Sequence, residues 1–220
     1  MKPLLIFGAG EIAEVAHFYF TRDTRVTVAG FTVDAAYLKE STFCGLPVVA
    51  FEEAAAKFAP ASNDLFVALS YAKINAVRAQ KCAEGRARGY RLASYVSSKA
   101  SVWDGFKAPE NCFILEDNTL QPFVQIGDNV TLWSGNHVGH HARIGANCFI
   151  TSHVVISGGV QIGDNAFIGV NATLRDHVKV GARAVIGAGS LVLEDVPEDG
   201  VIAARGTELS KVPSSRLRRL

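Results

Sequence analysis

Long apolar runs are missing from this 220-residue sequence, and no stretch of 18 or more consecutive apolar residues predicts a transmembrane helix. The N-terminal apolar run, residues 4–7, is too short for the core of a secretory signal peptide. An excess of one charge is missing too, since 22 Lys and Arg residues balance 21 Asp and Glu residues. Without a basic stripe, nucleic acid binding is not predicted.

Cysteine is scarce, and its four positions are far apart with no Cys-x-x-Cys spacing: Cys44, Cys82, Cys112 and Cys148. This pattern favours a reduced, cytoplasmic setting. Cys112 and Cys148 occupy the small, buried position of the repeat described next. We therefore expect them to serve as small apolar core residues, and we predict no metal site.

A six-residue repeat occupies almost half of the chain, with seventeen consecutive blocks filling residues 96–197 without an insertion. Each block opens with an apolar residue, often followed by glycine, and its fifth residue is usually small or β-branched. The opening residues of the most regular blocks are Ile126, Leu132, Val138, Ile144, Ile150, Ile156, Ile162, Ile168, Leu174, Val180, Ile186 and Val192.

A period of six matches neither the α-helix nor the β-strand alone, and it is typical of a hexapeptide β-helix built from short strands and corners. The first position of each block is predicted to point into a stacked aliphatic core, while the fifth lies near a corner and stays small. Gly, Asp and Asn fill turn positions where the backbone is unusual. The alternative, a chance pattern in an antiparallel sandwich, does not account for seventeen blocks in register.

The first 94 residues predict a small α/β domain, which leaves residues 95–220 for the β-helix and a C-terminal tail. Residues 4–7 form an apolar run typical of a buried parallel strand, and a Gly-x-Gly-x-x-Ala turn and a helical pattern follow. Further strands are predicted at 26–32, 45–49, 64–70 and 90–96, with helices at 52–58 and 73–88. This is a truncated Rossmann-like sheet, too small for a complete dinucleotide fold, so an NAD-dependent dehydrogenase is disfavoured.

The glycine turn is the predicted nucleotide contact of this domain. Gly8 and Gly10 would let backbone N–H groups approach a phosphate or a sugar at the helix N-terminus. Asp34 follows the second strand, where such folds place an acid against a ribose. The alternative is a tight packing turn that binds nothing.

Four of the six histidines fall within 17 residues: His137, His140, His141 and His153. Histidine is uncommon in solenoid turns, so this cluster is the candidate catalytic centre. His140 and His141 occupy the third and fourth positions of a block, at a turn that faces away from the core. A neutral imidazole there could take a proton from an amine or a hydroxyl at neutral pH.

The whole chain resembles the sugar acyltransferases that join a small N-terminal α/β domain to a left-handed β-helix. This group includes the bacillosamine and perosamine N-acetyltransferases and sialic acid O-acetyltransferase-like proteins. The stretches that carry the resemblance are GAGEIA at the start, GHHARIG at the centre, and IGVNAT and IGAGSLV later. The resemblance implies left-handed winding with three blocks per coil, a homotrimer, and acetyl-CoA as the acyl donor.

The same resemblance implies roles for individual residues. His140 begins the His-x-x-x-Ile-Gly stretch that carries the family's general base, and His141 replaces the acid that commonly follows it. This departure leaves the orienting partner open, and a carboxylate of a neighbouring subunit, Glu116 or Asp117, is one candidate. The expected coenzyme contacts are Phe149, Val170 and Ala188, and the expected nucleotide-sugar contacts are Gly10, Glu11, Ile12, Asp34 and Ser70.

The function predicted from the sequence is acetyl transfer from acetyl-CoA to the amino group of a nucleotide-linked amino-deoxy sugar, for a surface polysaccharide or glycan. A sugar O-acetyltransferase is the main alternative, because the same base serves an amine or a hydroxyl. A γ-carbonic anhydrase, which needs three converging metal-binding histidines, and a non-catalytic β-helix protein are weaker alternatives. The sequence does not distinguish the nucleotide, the sugar or the acyl chain length.

Overall fold

The computed structural model describes residues 2–204 and 206–216. Its N-terminal part consists of five strands and three helices: β1 (Leu4–Phe7), α1 (Glu11–Asp23), β2 (Val28–Val33), β3 (Thr42–Phe43), β4 (Leu46–Ala50), α2 (Ala54–Lys57), β5 (Asp64–Val67) and α3 (Ala76–Ala87). Short 3-10 turns occupy Ala35–Tyr37 and Ser214–Arg216. None of the helices in the described ranges is long and apolar enough to cross a bilayer.

The N-terminal sheet has the strand order β3-β4-β2-β1-β5, with β4, β2, β1 and β5 parallel and the short β3 antiparallel at one edge. All residues of β1 and β5 are buried, as their continuous apolar sequences predict for strands covered on both faces. The chain runs outward from β1 through β2 to β4 and then returns to the other side of β1. A topological switch point therefore lies between the carboxyl ends of β1 and β5.

Two predicted helices are shorter than expected. The helix predicted to start at residue 73 begins only at Ala76, because Lys73, Ile74 and Asn75 have left-handed backbones with φ of 51°, 51° and 64°. The helix expected over 52–58 is the single turn of α2. The strand expected over 90–96 is limited to Tyr95–Val96, which already pairs with the β-helix.

The C-terminal part is a parallel β-helix of two-residue strands. They are β6 (Tyr95–Val96), β7 (Phe113–Ile114), β8 (Thr119–Leu120), β9 (Gln125–Ile126), β10 (Thr131–Leu132), β11 (His137–Val138), β12 (Arg143–Ile144), β13 (Phe149–Ile150), β14 (Val155–Ile156), β15 (Gln161–Ile162), β16 (Phe167–Ile168), β17 (Thr173–Leu174), β18 (Lys179–Val180), β19 (Val185–Ile186), β20 (Leu191–Val192) and β21 (Val201–Ile202).

The register confirms the six-residue repeat and its stacking. Leu132 pairs with Ile150, and Val138 pairs with Ile156, so residues 18 apart lie in adjacent coils. First-position residues such as Leu132 and fifth-position residues such as Ala142 are 0% exposed and form one aliphatic core. Cys112 and Cys148 belong to this core, as predicted. The coil continues past residue 197 although the repeat does not, since Val201 pairs with Val185 at a separation of 16 residues instead of 18.

The strands form three sheets that are joined at three corners. The first sheet contains β6, β7, β10, β13, β16, β19 and β21, the second contains β8, β11, β14, β17 and β20, and the third contains β9, β12, β15 and β18. Corner one joins the first sheet to the second, corner two joins the second to the third, and corner three joins the third to the first. From Gly105 to Gly189, every corner has a residue with positive φ at the fourth position of its block. His141, His153 and His177 are among these residues.

The N-terminal part lies against the first sheet and corner three. An asparagine ladder follows this corner, with side-chain hydrogen bonds of 2.9 Å from Asn111 to Asn129, 2.8 Å from Asn129 to Asn147, and 3.1 Å from Asn147 to Asn165. Asn111 also bonds the backbone of Val67 in β5 through both its amide nitrogen and its amide oxygen. The ladder therefore satisfies buried polar groups in both parts of the chain at once.

Arg78 of α3 enters the same corner and is 1% exposed. Its guanidinium donates to Asn129 Oδ1 at 2.8 Å and to the carbonyl of Asn147 at 3.0 Å, and it contacts the carbonyl of Asn129. Burial lowers the pKa of Arg78 to about 10, which still leaves it charged at neutral pH. The helix therefore places a cation among oxygen acceptors of the coil.

Candidate functional site

The glycine turn after β1 lines a groove at the switch point. The residues that face this groove, about 440 Å³ in volume, are Gly8, Ala9, Gly10, Glu11, Ile12, Ala68, Leu69, Ser70 and Tyr71. A Cβ on Gly8 would lie 2.7 Å from the carbonyl oxygen of Ala68, so only glycine fits between the two strand ends. Gly10 has open space around its Cα and lies at the N-terminus of α1, where backbone N–H groups favour an anion.

The structure thus brings together four of the five residues predicted to contact the nucleotide sugar, namely Gly10, Glu11, Ile12 and Ser70. Asp34, the fifth, follows β2 and binds Lys81 Nζ of α3 at 2.7 Å. Its carboxylate is therefore engaged within the domain. A second cavity of about 310 Å³ lies beside Ala9, between the end of β2 and residues 37–43.

The histidines that are close in sequence are dispersed over the coil. His137 points outward from the second sheet, His153 lies at corner one with its ring over Gly135, and His177 lies at corner two with its ring over Gly159. His140 and His141 remain together at corner two, where both are exposed. In the described ranges, no group of three His, Cys, Asp or Glu side chains is close enough to hold a metal ion.

The two rings at corner two form a pair. The Nδ1 atoms of His140 and His141 are 3.1 Å apart, and the ring planes are inclined by 85°. The backbone N–H of His140 donates to Gln121 Oε1 at 2.8 Å, which holds the turn to the preceding coil. The ring of His141 packs on that of Phe123, with the centroids 4.7 Å apart.

The position of the His140 ring requires a glycine in the following coil. A Cβ on Gly158 would lie 2.8 Å from the Cε1 and Nε2 atoms of the His140 ring. The missing side chain at position 158 therefore creates the space in which the imidazole lies. An exposed imidazole fixed in this way can accept or donate a proton at a ligand that approaches corner two.

Val170 and Ala188 lie at corner one, on the opposite edge of the second sheet from His140. They occupy the same position in adjacent coils, both are exposed, and Val170 is 40% exposed. Small side chains on successive coils leave room for an extended ligand along this corner. Within one chain, however, these residues and His140 do not meet.

Phe149, the third expected coenzyme contact, is 2% exposed. It lies in the first sheet beneath the N-terminal part, where its ring is 5.2 Å from that of Tyr71 and stacks on Phe167 at 6.2 Å. Arg78 lies over the same ring at 5.6 Å. Its packing supports the junction between the two parts of the chain, and the side chain offers almost no surface to a ligand.

Tyr71 also lines the groove, although it is not among the residues predicted from the sequence. It is 51% exposed, and its ring also packs at 4.7 Å on Phe167. The feature of the sequence that indicates it is its position just past β5, at the switch point. The roles of Gln121, Phe123 and Gly158 were also missed, because each acts on a residue one coil away.

Glu116, considered above as a partner from a neighbouring subunit, is engaged within its own chain. Its two carboxylate oxygens accept hydrogen bonds of 2.6 Å from Tyr19 of α1 and 2.6 Å from Ser134. Burial and the hydrogen bond to Glu116 raise the pKa of Tyr19 to about 12. Glu116 therefore ties α1 to corner one.

Comparison with known families and structures agrees with this architecture. The bacterial transferase hexapeptide (six repeats) family model matches residues 123–158 and 159–194. Perosamine N-acetyltransferase from Caulobacter crescentus, solved as a histidine variant with CoA and GDP-perosamine, is 26% identical, with a TM-score of 0.83 over 93% of this chain and 94% of that one. No curated protein matches the chain by sequence.

Two further structures share the fold at lower identity. WeeI from Acinetobacter baumannii is 19% identical, with a TM-score of 0.80 over 93% of this chain and 97% of that one. The acetyltransferase domain of PglB from Neisseria gonorrhoeae, in complex with acetyl coenzyme A, is 20% identical, with a TM-score of 0.63 over 92% of this chain and 96% of that one.

The repeat, the three-sheet coil and these comparisons define the class of protein. The chain has the left-handed parallel β-helix of these acetyltransferases, with hexapeptide repeats matched over residues 123–194, and it is an acyltransferase. The match to perosamine N-acetyltransferase covers 93% of this chain, so the shared fold extends over the small N-terminal α/β domain as well as the coil.

Proposed function

We propose that this protein transfers the acetyl group of acetyl-CoA to the amino group of a nucleotide-linked amino-deoxy sugar, in the cytoplasm, for a surface glycan. The main support for this proposal is the exposed pair of His140 and His141 at corner two of an acyltransferase coil, where the two Nδ1 atoms are 3.1 Å apart. The groove between the ends of β1 and β5 is the proposed nucleotide-sugar site, with Gly10, Glu11, Ile12 and Ser70 as contacts.

The likeness to perosamine N-acetyltransferase supports both ligands. Structures of that enzyme hold CoA and GDP-perosamine together, and two of them are histidine variants. Binding of the two ligands to that enzyme therefore survives substitution of the histidine. For the present chain, this predicts that a base variant loses turnover and keeps its ligands.

His140 is the proposed general base. The amine attacks the thioester carbonyl, a C–N bond forms, and the proton leaving the nitrogen passes to the imidazole. Cleavage of the C–S bond releases CoA as a thiolate, which takes up a proton to become the thiol. Removal of one positioned base typically costs about 10²- to 10⁴-fold in rate, and backbone N–H groups at the glycine-rich turns are the proposed oxyanion donors.

The proposed active unit is a homotrimer. Val170 and Ala188, the proposed contacts of the pantetheine arm, lie on the opposite edge of the second sheet from His140. A second copy packed against this sheet would bring its own corner to the first copy and close a groove between them. Sedimentation that gives a monomer at micromolar concentration would contradict this part of the proposal.

Thiol release from acetyl-CoA, measured with a panel of nucleotide-linked amino sugars, tests the function. The wild type would be compared with His140→Ala and with the matched control His177→Ala. His177 also lies at corner two, at a distance of two coils from the His140–His141 pair. We expect turnover with one sugar, lost only in His140→Ala, with both ligands still bound. Transfer only to hydroxyl acceptors would indicate an O-acetyltransferase, and full activity of His140→Ala would exclude His140 as the base.

A further inference from the structure

The short distance between the His140 and His141 rings requires a shared hydrogen. Two Nδ1 atoms 3.1 Å apart cannot both present a lone pair, and they cannot both carry a hydrogen, without repulsion. A neutral imidazole has one N–H and one acceptor nitrogen. One of the two rings is therefore the donor at Nδ1, and the other is the acceptor.

The two arrangements have opposite consequences for His140. If His140 accepts at Nδ1, its hydrogen is on Nε2, and the ring has no free nitrogen with which to take a proton. If His140 donates from Nδ1, its Nε2 keeps the lone pair and can act as a base. Only the second arrangement is compatible with the base proposed for this site.

The surroundings hold both rings in place. His141 has a left-handed backbone with φ of 59° and stacks on Phe123, while Gln121 binds the backbone N–H of His140. The His140 ring is confined on its other side by the backbone at Gly158. The side chains of Gln121 and Phe123, which contact this pair, are uncharged. Neither of them supplies a negative charge to the imidazolium that His140 becomes during transfer.

We propose that His141 is a positioning residue whose Nδ1 accepts the Nδ1–H of His140, and that this contact sets the tautomer that leaves His140 Nε2 basic. This rests on the proposed function of His140 as the base. When Nε2 takes the amine proton, His140 becomes an imidazolium and its Nδ1–H still donates to neutral His141. His141 thus takes the orienting role that a carboxylate would have, without supplying a negative charge.

Two substitutions distinguish the role of His141 as a hydrogen-bond acceptor from the packing of its ring on Phe123. His141→Asn supplies an amide oxygen close to the former Nδ1 and suits a left-handed backbone, but it lacks the ring. His141→Phe keeps a ring on Phe123 and lacks an acceptor. Phenylalanine fits this position of corner two, because Phe123 occupies it in the preceding coil with φ of 67°.

We expect His141→Asn to retain kcat within about threefold and His141→Phe to lose roughly 10-fold or more, with both KM values unchanged. The same changes at His177, which has φ of 61° at corner two, should leave kcat unaffected. Equal activity of His141→Phe and the wild type would overturn the proposal. An equal loss in the Asn and Phe variants would overturn it as well.

A measurement without substrate distinguishes failure of this inference from failure of the proposed function. The NMR spectrum of protein labelled with ¹⁵N-histidine reports which ring nitrogen of His140 carries the hydrogen. We expect Nδ1–H in the wild type and in His141→Asn, and loss of that preference in His141→Phe. Nε2–H on His140 of the wild type would refute the proposed direction of the hydrogen bond between the two rings, whereas the expected spectra without any acetyl transfer to amino sugars would refute the function alone.

Discussion

Arg78 donates to Asn129 Oδ1 at 2.8 Å, and this contact joins α3 to the asparagine ladder at corner three. The other acceptors of the guanidinium include the carbonyls of Asn147 and Cys148. All these oxygens lie where α3 covers the coil. This buried cation is therefore one of the contacts that hold the two parts of the chain together, beside those of Asn111 with Val67 and of Tyr19 with Glu116.

Arg78→Met should destabilise the protein by about 1–3 kcal/mol, because the buried carbonyl oxygens lose their donor. Urea unfolding measures the difference. Arg86→Met is the matched control on the same helix, since Arg86 forms half-exposed ion pairs with Glu110 and Asp128. Such pairs contribute about 0–1 kcal/mol. Equal effects at the two positions would show that the buried contacts of Arg78 do not determine stability.

Gly158→Ala should lower kcat strongly and should change the free energy of unfolding only slightly. The new methyl group would lie 2.8 Å from the His140 ring, and the ring can move away at little energetic cost because it is exposed. A displacement of about 1 Å from a catalytic position can reduce the rate by roughly 100-fold. Steady-state kinetics and thermal unfolding of the same preparations measure the two effects.

Gly206→Ala serves as the control for this glycine substitution, because a Cβ there meets no atom within 4 Å. Gly139→Ala provides the opposite case, since its Cβ would lie 2.6 Å from the backbone nitrogen of Gly158 and should disturb the coil itself. A Gly158→Ala protein with unchanged kcat would show that His140 is not held by this contact during turnover.

Tyr71→Ala should raise KM for the nucleotide-linked sugar by roughly 3- to 10-fold, which is the range expected for loss of one aromatic contact. The KM for acetyl-CoA should not change, because Tyr71 lines the groove of the N-terminal domain. Tyr71→Phe keeps the ring on Phe149 and Phe167 and should behave as the wild type. A rise in the acetyl-CoA KM alone would place the coenzyme in this groove.

Asp23 should contribute stability that disappears in acid. Hydrogen bonds from Ser98 and Tyr95 lower its pKa from the ordinary value of 3.8 to about 2. Because the folded pKa is depressed, the contribution is complete only well above the unfolded pKa of 3.8, and it is lost progressively as the pH falls from about 5 through the folded pKa of about 2. With partial exposure taken into account, we expect about 1 kcal/mol.

Asp23→Asn tests this linkage when urea unfolding is measured at pH 7, 4 and 2.5. The variant should be less stable than the wild type at pH 7, and the difference should shrink towards pH 2.5. A difference that is independent of pH would assign the effect to packing at the junction of α1 with the coil. Asp199→Asn is a suitable control, since Asp199 pairs with Arg183 on the exposed surface.

The coil and its core follow from the local pattern of the sequence. The first and fifth positions of each block are set by a local period, so Ile150 and Cys148 could be placed inside without knowledge of any other part of the chain. The apolar run 4–7 and the glycine turn likewise predicted a buried strand and the loop after it. In both cases, hydrophobic burial within a few residues decides the structure.

Which side chains meet depends on how the coils stack and where the N-terminal domain packs. His137, His140, His141 and His153 are near in sequence, and the corners separate all but His140 and His141 because each turn points in a different direction. Phe149 has the sequence context of a coenzyme contact, but it lies under the N-terminal part of the chain. The surroundings of a turn residue are formed by residues 18 positions away in the next coil and by the second domain, and no local pattern contains them.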